Sequence, residues 1–107
     1  MEPSKKDWKL YREKVPTWQE HYMERLIKKY IDYLSGDEPA STKFWEMEKR
    51  IRHDKKTPGV YIELNKGDMI FDLIRFMNDG VIAFDDLDEF SDELKENVKF
   101  WMERFSQ

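Results

Sequence analysis

Apolar positions recur at helical spacing over most of the chain, and the stretches between them are rich in helix breakers. Trp8, Tyr11 and Val15 fall at i, i+3 and i+7, so a short first helix is expected. Pro16 should end it, because proline lacks an N–H and its ring crowds the preceding turn. Thr17 then stands three residues before Glu20, the spacing of a capping box. From there Trp18, Tyr22, Met23, Leu26, Ile27, Tyr30, Ile31 and Leu34 keep the helical period for about five turns. SGDEPAS, residues 35–41, reads as a loop. Ser41 or Thr42 is placed to cap a third helix, in which Phe44, Met47 and Ile51 form one apolar stripe that Trp45 widens. The basic run KRIRHDKK closes it, as the helix dipole favours.

Two segments break the helical period. VYIEL (60–64) and VIAF (81–84) are β-branched and aromatic, which suits short strands. Between them Asn65 opens a helix with Asp68 in its first turn and Met69, Ile70, Leu73, Ile74 and Met77 on its apolar side. Gly80 stands where a left-handed residue after a helix belongs. FDDLDEF predicts a short fifth helix, and Ser91 caps a last one carrying Leu94, Val98, Trp101 and Phe105. The pattern therefore predicts an all-α fold, a compact single-domain bundle of five or six helices over 1–107. It includes a loosely attached N-terminal helix over 1–15 and a helix-turn-helix-like C-terminal corner. There is room for one short two-stranded β element pairing 60–64 with 81–84.

Composition narrows the chemistry. The 107 residues include no cysteine, which removes thiolate nucleophiles, zinc–thiolate sites and disulfides and fits a reducing cytoplasm. The opening MEPSKKDWKLYREK has no apolar signal region, and no apolar run approaches the roughly 20 residues that span a bilayer, so no membrane association is expected. Net charge is −4, but unevenly spread. Residues 1–60 carry 14 Lys+Arg against 11 Asp+Glu, and residues 61–107 carry 5 against 12, so the halves stand at +3 and −7. At 15% the aromatic share is high, enough to build a core from few side chains or to leave some for a docking patch.

The stretch FMNDGVIAFDDLDEF, residues 76–90, invites two readings. As a calcium loop with Gly80 at position 6, Ile82 and Asp86 fall correctly, but Arg75 and Met77 would occupy front ligand positions, and neither suits a hard dication. As a helix-turn-helix, the rhythm fits but the charges do not. Asp85, Asp86, Asp88 and Glu89 precede a last helix carrying Asp92, Glu93 and Glu96, a face that repels phosphate. It is better read as a helix-to-helix connection with a solvated acidic face. HYME offers His21 and Glu24, but in the wrong order and only once for a dinuclear carboxylate site, so no metal and no cofactor is expected. The four glycines are isolated, and no phosphate loop or nucleophile elbow is present.

The segments FWEMEKRI, DKKTPGVYIEL and DGVIAFDDLDEFSDEL resemble a group of short uncharacterised bacterial cytosolic proteins, over about residues 20–100. The resemblance implies a bacterial, cytoplasmic setting and no mechanism. Read from the residues, the chain is expected to be a small non-enzymatic protein-binding or regulatory module. The first candidate surface is the acidic face Asp85, Asp86, Asp88, Glu89, Asp92, Glu93 and Glu96, or an aromatic patch beside it. Self-association falls under the same heading, because apolar residues spread widely around the helix at 17–35. The alternative is a nucleic-acid-associated regulator that touches phosphate through Lys49, Arg50, Arg52, Lys55 and Lys56.

Overall fold

The computed structural model describes residues 3–105. Among the described residues the fold is all-helical, 74% helix with no strand. Four α-helices make it up: α1 (Lys5–Leu34), α2 (Ala40–Asp54), α3 (Met69–Asn78) and α4 (Asp92–Phe105). Single 3₁₀ turns stand at Lys66–Asp68 and Phe84–Leu87. The count falls below the expected five or six for two reasons: the first two helices are one, and FDDLDEF yields only a 3₁₀ turn.

α1 runs 30 residues straight through Pro16. Its start follows local rules, with the Ser4 hydroxyl accepting from the Asp7 N–H at 3.1 Å. Pro16 fails to end it because Tyr11, Val15 and Trp18, on one stripe either side of the proline, are all buried in the same core. Burying three such side chains contributes on the order of 6 kcal/mol, against about 3 kcal/mol for an interior proline. Pro16 and Arg12, whose carbonyl loses its donor, are both exposed, so water can satisfy that oxygen. Thr17 is consequently an exposed mid-helix residue and not a cap. In the N-terminal segment, Tyr11 and Val15 belong to the core.

That core joins the first half of α1 to α3, α4 and the segment between them. Met69, Ile70, Leu73, Ile74 and Phe76 meet Val81, Ile82, Leu87, Phe90, Leu94 and Val98. α3 ends in a Schellman motif: Val81 N–H donates to Phe76 O at 2.8 Å and Gly80 N–H to Met77 O at 3.1 Å. Gly80 takes the left-handed conformation at φ 73°. Val81 and Ile82 are thus core plugs rather than a strand. Residues 60–64 likewise form no strand: Val60 and Tyr61 donate to Thr57 O, and the rest has no regular secondary structure. Two isolated pieces of four or five residues gain too little from pairing to displace such contacts.

Asp72, buried on α3 beside Arg75 at 3.6 Å, has its carboxyl raised above the usual range. Burial is the main cause; Arg75 opposes it and Asp68 adds to it. A raised folded-state pKa means the folded state holds its proton longer than the unfolded chain does. That contribution to stability is fully present below the ordinary 3.8 and is lost as pH rises through the folded value. Asp72→Asn is therefore expected to unfold at higher urea than the parent at neutral pH, with the gain shrinking as pH falls to about 4. Urea midpoints at several pH values check this, and a gain independent of pH would refute it.

The molecule is elongated. Its radius of gyration is 16.6 Å and its extents are 52 × 31 × 22 Å, where a compact domain of this length has a radius of about 13 Å. The cause is α1, which at 1.5 Å per residue is about 45 Å long and leaves the body behind half-way. Tyr22 is its last residue packed on the core, and no residue of α2 reaches it.

Candidate functional site

The second half of α1 turns through Ser35–Pro39 into α2, and the two helices form a hairpin projecting from the body. Ser35 and Gly36 N–H groups donate to Ile31 O and Tyr33 O, closing α1. α2 begins at Ala40 with Pro39 at its N-cap position and no side-chain cap, so neither Ser41 nor Thr42 plays that part. Tyr30 donates to the Asp54 carboxylate, and the Arg50 guanidinium lies over the Tyr33 ring at 4.1 Å, which fixes α2 against α1. Partial burial, the Asp54 hydrogen bond and the Asp54 charge push the Tyr30 phenol up to about 12, so it remains a donor at neutral pH.

The hairpin's base is clamped. Arg25 donates to Gly80 O at 2.9 Å and Val81 O at 3.2 Å, placing a cation at the C-terminal end of α3. Gln19 donates to Pro58 O at 2.9 Å, and Thr57 to the Asp79 carboxylate at 3.1 Å. Gly59 sits under Tyr22 so closely that a Cβ would stand 2.4 Å from the ring, so the approach requires glycine. The hairpin is a positioned arm.

What this arm presents is apolar. Phe44 is 66% exposed, Trp45 65%, Ile31 57%, Ile27 52%, Ile51 44% and Leu34 43%, and α2 has no buried residue at all. Leu34, Phe44, Met47 and Ile51 line an open groove of about 600 Å³, rimmed by Glu48, Arg52 and Lys55. A second, smaller hollow of about 160 Å³, which shares Ile51 and Lys55 with the groove, is lined by Met23, Leu26, Ile27, Tyr30 and Val60. The stripe predicted for α2 is real, but nothing in the described chain covers it.

The chain matches no family model, no curated protein and no solved structure.

Asp85, Asp86, Asp88, Glu89, Asp92, Glu93 and Glu96 are all exposed and spread from the Phe84–Leu87 turn into α4. Asp86 accepts from Ala83 N–H at 2.7 Å, Glu89 pairs with Lys14 at 2.5 Å and Asp92 with Lys95 at 3.5 Å. On α2, Arg50 pairs with Glu46 at 2.8 Å and Arg52 with Glu48, while Lys49, Lys55 and Lys56 are exposed. Opposite charges one turn away thus engage two of the five cations. Near the end of α4, Phe71, Phe100, Trp101 and Phe105 form an aromatic patch, but its rings contact one another at 5.2–6.0 Å. Asp79 serves Thr57 rather than an ion. Among the described residues no group of three or more His, Asp or Glu is placed to hold a metal, and no helix is long and apolar enough to cross a membrane.

The apolar residues of the hairpin are legible in the sequence, and their spread around 17–35 already raises self-association there. α2 alternates its apolar positions with Glu46, Glu48, Lys49 and Arg52, which leaves one narrow stripe.

Proposed function

We propose that this chain is a small non-enzymatic protein-binding module whose working surface is the open apolar face of the α1–α2 hairpin, and that it acts in the cytoplasm. The observation that carries the reading is a 15-residue helix, α2, with no buried residue and a row of exposed apolar side chains. Helices of this length are marginal alone, and a contiguous apolar face on a rigid arm marks a contact surface. The acidic face is less apt as the working surface, because its carboxylates are solvated or engaged within the chain. Catalysis is disfavoured for a related reason. The polar depression formed by Tyr22, His53, Asp54, Lys56, Thr57 and Asp79, about 250 Å³, has its two acids engaged by Tyr30 and Thr57.

Photo-crosslinking amino acids at Ile31, at Phe44 and, as a control, at exposed Tyr61 test the reading in cells that express the chain naturally. Protein adducts are expected at positions 31 and 44 and not at 61. No adduct at the hairpin positions, or equal yields at all three, would overturn it.

A further inference from the structure

We infer that the cover for the hairpin face is a second copy of this chain, packed antiparallel so that two hairpins complete a four-helix layer. The inference rests on the docking reading above and names its partner.

Area comes first. The six exposed apolar residues of the hairpin offer on the order of 600 Å² per copy, so a two-fold pairing buries about 1,200 Å², the lower bound for a stable interface. A groove lined by Leu34, Phe44, Met47 and Ile51, with Ile27 and Ile31 exposed on the facing helix, suits such pairing, because in an isologous contact the same patch of each copy meets that of the other. Two-helix layers stacked in this way give the packing of a four-helix bundle.

Charge then selects the identical partner. Hairpin residues 20–56 carry 9 Lys+Arg against 8 Asp+Glu, nearly balanced, and the groove rim sets Glu48 beside Arg52 and Lys55. A strongly acidic or basic partner would gain little on such a surface, whereas a rim with both signs complements its own two-fold image. The body, residues 3–19 with 57–105, carries 10 Lys+Arg against 14 Asp+Glu, so each body stands at −4 and two bodies repel. Antiparallel pairing along α2, about 22 Å long, puts the bodies at opposite ends, beyond the Debye length of about 10 Å. The hairpin attracts its copy and the bodies set the orientation.

The experiment is light scattering after gel filtration on the full chain across a wide concentration range, with two variants. The parent is expected to reach twice the 13.2 kDa of one chain and to dissociate on dilution. Ile31→Asp combined with Ile51→Asp should weaken association by about a hundredfold or more, with the helical circular dichroism retained. Phe100→Asp, on the body's aromatic patch, should leave the dimer intact. Three results would overturn the inference: a parent that stays monomeric, a dimer that survives the double variant, or one lost in Phe100→Asp. The adducts separate the two proposals. A monomer whose Ile31 adducts contain a different protein defeats the second copy and leaves the docking reading standing, while a monomer with no adduct defeats both.

Discussion

Trp18→Ala is expected to lower the unfolding free energy by about 3–5 kcal/mol, the largest effect of any single truncation in this chain. Trp18 is the hub of the aromatic core. Its ring meets Phe76 edge-on at 5.7 Å, Tyr11 at 6.4 Å and Phe90 at 6.4 Å, so it joins α1 to α3 and to the segment leading into α4. Tyr11 and Phe76 are themselves fully buried, so neither ring is free to swing into the space. Domains of this size have only about 5–15 kcal/mol in total, and at 4 °C or more per kcal/mol the melting midpoint should fall by at least about 12 °C. Tyr61→Ala serves as the control. Tyr61 is 69% exposed, and its loss should stay within about 0.5 kcal/mol. Thermal melts of the two variants by circular dichroism decide the matter. Equal, small effects would mean that the aromatic centre does not hold the body together.

The contrast between those two aromatics marks how far the sequence could be read. Features whose causes are local were legible. The apolar side of α3, Gly80 in its left-handed conformation and Ser91 as the cap of α4 all follow from residues within one or two turns. Features decided by distant partners were not. Pro16 is a strong local stop signal, and only the shared burial of Tyr11, Val15 and Trp18 overrides it. Phe44, Met47 and Ile51 hold perfect helical period, but period shows that a face is apolar, not whose atoms cover it. The candidate site is therefore present in the pattern, but the pattern leaves open whether it lies inside or outside. The surplus of apolar residues around 17–35, and the alternation of charges along α2, were its only traces. The exposure of the acidic residues could be read from their density alone.

Asp7→Ala is expected to destabilise the fold by about 3 kcal/mol, through a contact 84 positions apart in sequence. Asp7 is almost fully buried, with one carboxylate oxygen accepting from Ser91 N–H at 3.0 Å and the other from Ser91 Oγ at 2.5 Å. Ser91 Oγ in turn accepts from Leu94 N–H at 3.1 Å, so one carboxylate in the first turn of α1 holds the residue that caps α4. Its charge lies near the positive ends of both helices, where the dipoles favour an anion. Alanine removes both acceptors from Ser91 and frees the cap. Asparagine keeps an acceptor for that N–H and loses the charge, so Asp7→Asn should cost less, about 1–2 kcal/mol. If the two side chains act as one unit, Ser91→Ala added to Asp7→Ala should cost clearly less than the two separate losses together. Urea denaturation of the four proteins measures this coupling. Strict additivity would show that the carboxylate and the cap act independently, and that α1 and α4 are held together by the apolar core alone.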